Sequence, residues 1–311
     1  MIYRVRHRTT YKYERTSTYA RCVFRLQPEN SDRQTVSQHA VTTSPRASSA
    51  IQRSGPFGEA TLTVVIEEPH KTMVVEANSI VEVHSRAIDP GRPSDAWETI
   101  RTQSLSVESI EPTSPAAFLY PSVRVPIADP ITDYGRESFA PGRPIVDAAS
   151  ELMRRLHDDF TFDPEATKVS TPAADAFGAR RGVCQDFAHI MISALRGLGL
   201  PAAYVSGYLR TRPVDGRRDL TGSDASHAWV NVWCGREWGW VGFDPTNAVY
   251  AQDDHIVLAI GRDYSDVAPI DGILMSPGDQ AIKVEVDVIP SPELASQRPS
   301  YARAAPISAA S

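Results

Sequence analysis

Along the first ninety residues apolar and polar positions alternate in short runs. Ile2–Tyr13 follows a period of two, as does Thr18–Leu26, where Ala20, Cys22, Phe24 and Leu26 share one face. Thr61–Glu67, Thr72–Ala77 and Ile80–His84 are rich in β-branched residues, and Gln34–Thr43 is a weaker run. Turn residues separate them: Ser54-Gly55-Pro56-Phe57-Gly58, Pro69 and Asn78-Ser79. This spacing predicts a small antiparallel β-sandwich over residues 1–90. From 91 to 144 the periodicity breaks and proline recurs, so a surface connector with one or two short helices is expected.

Helical spacing then takes over. Pro144 stands where a helix can start, and Ile145, Ala148, Ala149, Leu152 and Leu156 keep one face. Within Gly182–Leu200, Phe187, Ile190, Met191, Ala194, Leu195 and Leu198 form a full apolar stripe that Gly199 and Pro201 end. Ala202–Leu209 reads as a strand. Ser226–Trp233 and Trp238–Asp244 alternate around Cys234-Gly235-Arg236-Glu237, a hairpin turn, and His255–Ile260 and Ala281–Ile289 add two strands. Residues 145–290 therefore read as an α+β core. Residues 291–311, rich in Pro, Ser and Ala, read as a flexible tail.

Composition narrows the function classes. The 311 residues carry 32 Lys+Arg against 38 Asp+Glu, a formal charge of −6 without a basic block, which argues against nucleic acid as a partner. No apolar run approaches the roughly 18–20 residues that span a bilayer, so no membrane association is expected. The N-terminal MIYRVRHRTTYKY lacks an apolar signal core, and a cytoplasmic location follows as an expectation. Three scattered cysteines, Cys22, Cys184 and Cys234, make no disulfide framework and fit a reducing compartment. No Cys-x-x-Cys pair, close histidine spacing or carboxylate-rich loop occurs, so neither a metal nor a cofactor is expected.

Cys184 opens the apolar helix after Arg180-Arg181-Gly182-Val183. Unpaired N–H groups at a helix start carry positive partial charge that favours thiolate, and the two arginines would add to it if they folded back. A lone thiol there usually only packs, so its partners decide. If Gly235-Arg236 are the two central turn residues, 234 faces 237, 233 faces 238 and, counting back, His227 faces Asp244. Directly opposed residues have Cβ atoms about 4.5–5.5 Å apart on one face of the sheet, so Asp244 can hold the imidazole proton. Pro245 ends the strand and leaves that carboxylate at the sheet's rim. Cysteine, histidine and aspartate together are what thiolate attack on an amide requires. His189 reads as a packing or hydrogen-bonding residue and Asp186 as a partner of the helix dipole. Trp229, Trp233, Trp238 and Trp240 read as core rather than cleft, Cys22 as a packed core thiol and Cys234 as incidental. The Cys184 N–H is the natural first oxyanion donor, and the second is not identified.

Four blocks carry a resemblance: Gly-Val-Cys184-Gln185-Asp186-Phe187-Ala188-His189; Gly199-Leu-Pro-Ala-Ala-Tyr-Val-Ser-Gly-Tyr208; Asp224-Ala-Ser-His227-Ala-Trp229-Val; and Trp240-Val-Gly-Phe-Asp244-Pro-Thr-Asn247. They resemble the transglutaminase-like superfamily, in its bacterial branch with a β-rich N-terminal domain. Phe57-Gly58, Glu68-Pro69-His70 before Val81-Glu82-Val83, and Gly261-Arg-Asp-Tyr264-Ser-Asp266-Val-Ala-Pro269 extend the likeness over nearly the whole chain. The resemblance implies a papain-like core whose Cys, His and Asp fall on Cys184, His227 and Asp244. It implies a thiol enzyme that attacks a peptide or glutamine-type amide through a thioester. Water would resolve that thioester in a cysteine peptidase or amidase, and an amine co-substrate in a transglutaminase. The rival reading is a non-catalytic peptide-binding scaffold of the same fold.

Overall fold

The computed structural model describes residues 1–84, 88–89, 91–106, 111–210, 226–275 and 278–291. Six strands come first: β1 (Ile2–Ser17), β2 (Tyr19–Phe24), β3 (Gln34–Ser44), β4 (Ser49–Ser54), β5 (Ala60–Ile66) and β6 (His70–Val83). Asn78-Ser79, expected as a turn, lies inside β6, because the two β-branched runs pair continuously with β1 and β3. β4 was not foreseen. All six of its residues are exposed, so no apolar alternation marks it.

Helices and short strands follow: α1 (Trp97–Ser104), α2 (Asp129–Arg136), α3 (Ile145–Asp159), β7 (Thr161–Phe162), α4 (Ala173–Ala179), β8 (Arg181–Gly182) and α5 (Cys184–Gly197). Then come β9 (Ala202–Leu209), β10 (His227–Trp233), β11 (Trp240–Asp244), β12 (Val249–Tyr250), β13 (His255–Gly261), α6 (Tyr264–Val267), β14 (Ile270–Met275) and β15 (Gln280–Pro290). Five of them form an antiparallel sheet in the order β12-β11-β10-β9-β13. No helix among the described residues is long and apolar enough to cross a membrane.

Every residue from Gln185 to Arg196 is buried, so α5 is covered on all sides rather than along the single stripe its sequence marks. The sheet covers it through Tyr204, Ala228, Val230 and Val232, while Ile131, Leu152 and Ala176 come from α2, α3 and α4. Small residues let α2 approach closely: a Cβ on Gly135 would lie 2.8 Å from that of Ala194. Two of the polar residues this buries, Ser193 and Arg196, are satisfied. Ser193 donates to Pro126 O at 2.7 Å, and the Arg196 guanidinium donates to the carbonyls of Phe118, Ala202 and Arg262. Burial pushes that guanidinium down to about 10.

The last strand leaves the 145–290 core in which the sequence placed it, and β14, which the sequence does not mark, leaves with it. β15 pairs with β1, and β14 pairs with β2, giving two four-stranded sheets ordered β15-β1-β6-β3 and β14-β2-β5-β4. An edge strand's backbone needs partners wherever they lie along the chain, and β1 and β2 offered free edges. Phe24, Ile66, Met73 and Val75 fill the space between these two sheets. Ser291 still bonds Ile2 O, and the remainder of the expected tail, 292–311, lies outside the described residues.

Tyr3, Val5, Val81 and Val288 bury against Tyr208, Ile256 and Leu258, fastening the N-terminal strands to the five-stranded sheet. Burying each aliphatic side chain contributes about 1.5–3 kcal/mol. The Gln34 amide brackets the Val257 backbone (2.7 and 2.8 Å), and Tyr208 Oη meets His7 Nδ1 at 2.9 Å. Burial pushes His7 down to about 4.

Candidate active site

Cys184 is the first residue of α5 and half-buried, while Cys22 and Cys234 are buried, and all three thiols are free. The Asp186 carboxylate turns back over the helix start, accepting Val183 N–H at 2.9 Å and the Thr167 hydroxyl. Burial raises its pKa and these two bonds oppose the rise. Gly182 permits this close return, since a Cβ there would lie 2.5 Å from Asp186 Oδ2. The first N–H groups of a helix have no intrahelical partner, so the dipole's positive end surrounds the sulfur. Arg180 and Arg181 do not fold back to it. Arg180 stacks on Tyr134, Phe160 and Phe177 at 4.6–5.0 Å, and Arg181 pairs with Asp163.

His227 opens β10 opposite Gly207 of β9. The β10–β11 register differs from the expected hairpin: Trp233 pairs with Trp240 and Val230 with Phe243. The turn therefore holds two more residues than a tight hairpin, with Gly235 and Gly239 at positive φ. A slip of two keeps every side chain on its own face, so Asp244 still shares His227's side of the sheet, diagonal to it. The two meet directly, His227 Nε2 lying 2.9 Å from Asp244 Oδ2 with both side chains fully buried. Asp244 is thus not at an open rim, because the chain after Pro245 folds over it.

That chain saturates the carboxylate. Oδ1 accepts the backbone N–H groups of Thr246 (3.0 Å) and Asn247 (3.2 Å), and Oδ2 accepts Asn247 Nδ2 at 2.8 Å. Burial would raise the Asp244 pKa, but the charges and hydrogen bonds of His227 and His255 overcome it and hold the group ionised, well below the usual range. For His227 burial alone would lower the pKa. The charges of Asp244 and Cys184, and the hydrogen bond to Asp244, outweigh it and lift the imidazole to about 10. Nδ1 has no hydrogen-bond partner and is the ring position left to serve the sulfur. The structure thus brings His227 and Asp244 into direct contact, with Cys184 near enough for its charge to act on the imidazole.

In the sequence His255 marks only the start of a strand, yet its Nε2 lies 3.2 Å from Asp244 Oδ2. Periodicity cannot find such a contact, since β9 and β10 separate β13 from β11. Trp229, the largest fully buried side chain, lies nearly parallel to His227 (6.3 Å, 28°) and edge-on to His255 (5.1 Å, 81°). His189 packs on Tyr204 and accepts Tyr264 N–H at 3.3 Å, while burial pushes it down to about 4. Trp238 and Trp240 line a cavity of about 460 Å³ with Phe57 and Phe118, away from Cys184. Among the described residues no cluster of His, Cys, Asp and Glu could hold a metal ion.

The model of the transglutaminase-like superfamily matches residues 133–245, and that of the bacterial transglutaminase-like N-terminal region matches 3–82. The chain belongs to the transglutaminase-like superfamily. An uncharacterized protein of Mycobacterium tuberculosis is 38% identical over 298 residues, covering 93% of this chain and 92% of that one. A protein-glutamine gamma-glutamyltransferase of Pseudomonas aeruginosa is 34% identical over 152 residues, 47% of this chain and 22% of its own. The crystal structure of a candidate cysteine protease from Cytophaga hutchinsonii superposes with a TM-score of 0.72 at 20% identity, covering 94% and 91% of the two chains. That likeness shows the transglutaminase-like fold, and members of this superfamily are usually cysteine-based enzymes.

Proposed function

We propose that this transglutaminase-like protein is a thiol acyl-transfer enzyme with Cys184 as nucleophile, His227 as acid and base, and Asp244 as the group that orients the imidazole. The observation that carries the reading is the state of His227: buried, gripped at Nε2 by an ionised carboxylate, with Nδ1 left for the Cys184 sulfur. An imidazolium so held supports a thiolate beside it. The sulfur attacks the carbon of a peptide or glutamine-type amide, and negative charge moves to the carbonyl oxygen, where the Cys184 N–H receives it. The C–N bond breaks as His227 gives its proton to the departing amine, leaving a thioester. Water or a primary amine then attacks, His227 takes its proton, and the C–S bond breaks to restore the thiolate. Asp244 stays ionised throughout.

In this reading the core is papain-like and the two N-terminal sheets form a β-sandwich beside it. The partners are a peptide or protein bearing the amide and, for transfer, an amine. The free thiols suit a reducing cytoplasm. Incubation with a glutamine-containing peptide library, with and without a labelled primary amine, tests the reading by product mass. Amine adducts identify transfer, a gain of water with the chain intact identifies deamidation, and split peptides identify proteolysis. No product that depends on Cys184 would refute the enzyme reading and leave the binding scaffold.

A further inference from the structure

We propose that His255 is a positioning residue of this site: its Nε2–H fixes the Asp244 carboxylate in the orientation that grips His227 and limits how strongly Oδ2 draws the His227 proton. Its effect on turnover rests on the catalytic reading above, whereas its effect on the His227–Asp244 bond does not.

Oδ2 takes three donors, His227 Nε2 at 2.9 Å, Asn247 Nδ2 at 2.8 Å and His255 Nε2 at 3.2 Å, and Oδ1 takes two backbone N–H groups. A carboxylate offers about four lone-pair sites, so every one is in use. An ionised oxygen only accepts, which requires each imidazole to carry its proton on Nε2. Each added donor stabilises the anion and lowers its basicity, so His255 tempers the pull on His227.

The contact spans the sheet and is built for. His255 starts β13, and the chain from 245 to 254 brings it over the end of β9 and β10 to β11. β9 carries Gly207 at that point. A Cβ there would lie 2.2 Å from Ile256 O and 2.4 Å from Trp229 Cη2, so the glycine leaves room for the indole. That indole meets both imidazoles, which limits the rotamers open to each. Among the described residues, the charged and titratable groups around His255 on its own sheet are Asp244 from β11, His227 from β10 and the neighbouring Arg210–Asp254 pair. On the N-terminal side Arg33 and His84 line a small cavity of about 40 Å³ with it.

The full-length protein, labelled with ¹⁵N in its imidazoles, tests this through the far-downfield proton spectrum together with steady-state kinetics. In the wild type both His227 and His255 show a carboxylate-bound proton on Nε2. His255→Phe keeps the ring's bulk and removes the donor; it moves the His227 signal further downfield and lowers kcat about tenfold with KM within about twofold. His255→Gln restores a donor and returns both readouts toward wild type. A His255 proton on Nδ1 in the wild type, an unmoved His227 signal in the Phe variant, or equal loss of kcat in the Phe and Gln variants overturns the assignment. The wild-type tautomer and the Gln variant decide it even if the Phe variant fails to fold. Should no turnover depend on Cys184, the catalytic reading fails, and the His227 signal still decides whether His255 shares the carboxylate.

Discussion

Replacing Asp244 by asparagine swaps one oxygen of a fully buried carboxylate for an NH₂ group while keeping its shape. Five donors surround the native side chain, two of them backbone N–H groups that cannot move. The amide oxygen must serve those two, which turns the NH₂ toward His227, His255 and the Asn247 amide. An imidazole can adapt by moving its proton to Nδ1, but the Asn247 amide is left facing a donor. A buried unsatisfied donor costs about 1–3 kcal/mol, so one or two of them destabilise Asp244→Asn by about 1–6 kcal/mol. The displaced proton sits on His227 Nδ1, where the sulfur needs an acid that can reload, and kcat falls by about 10³–10⁴.

The pH dependence supplies an independent sign. His227 is lifted to about 10 in the fold against an ordinary value of 6.5, so its protonation stabilises the native state fully below pH 6.5 and that contribution is lost as pH rises toward 10. Without the carboxylate's charge, burial dominates and the ring is neutral, so this alkaline loss disappears in the variant. Urea unfolding at pH 7 and pH 9, paired with turnover by product mass, measures both effects. Turnover within tenfold of wild type, or an unchanged fall in stability between the two pH values, would refute the reasoning.

Three further outcomes are expected. Iodoacetamide at neutral pH should modify Cys184 at least about tenfold faster than the buried Cys22, whose thiol burial pushes up to about 11, or Cys234, which burial raises further; mass spectrometry of the three peptides gives the rates, and equal sluggishness favours the scaffold. Gly207→Ala should cost at least about 1–3 kcal/mol in urea unfolding and displace Trp229, visible as a change in tryptophan fluorescence, whereas a wild-type midpoint would show that the sheet yields there. Burial holds His7 and His189 near 4, so the unfolded chain binds more protons between pH 4 and 6.5 and stability falls as pH drops through that window. His189→Asn should shallow that acid slope, and an unchanged slope would remove His189 from the account.

The helix that carries Cys184 and the strands that carry His227 and Asp244 were legible because each rests on local periodicity. The stripe from Phe187 to Leu198 has helical spacing, and the alternation of 227–233 and 240–244 has a period of two. The hairpin is longer than its sequence suggests: Gly235 fits the rule for a tight turn, while Gly239, also at positive φ, extends it. The side-chain pairing survived only because the error was even. β15 was legible as a strand but not as a partner of β1, nearly three hundred residues earlier.

By itself, then, the sequence determined that the segments carrying Cys184, His227 and Asp244 are helical or extended and which face of each is apolar, because those depend on neighbours a few residues apart. It also settled which titratable groups face one side of the hairpin, since a strand's alternation survives a two-residue slip. Only the tertiary structure decided that His255, three strands from Asp244, would share its carboxylate, and that β14 and β15 would complete the N-terminal sheets. Those outcomes turn on which edges and cavities remain once the layers pack, such as the gap that Gly207 leaves beside Trp229, and no periodicity along the chain records what lies across it.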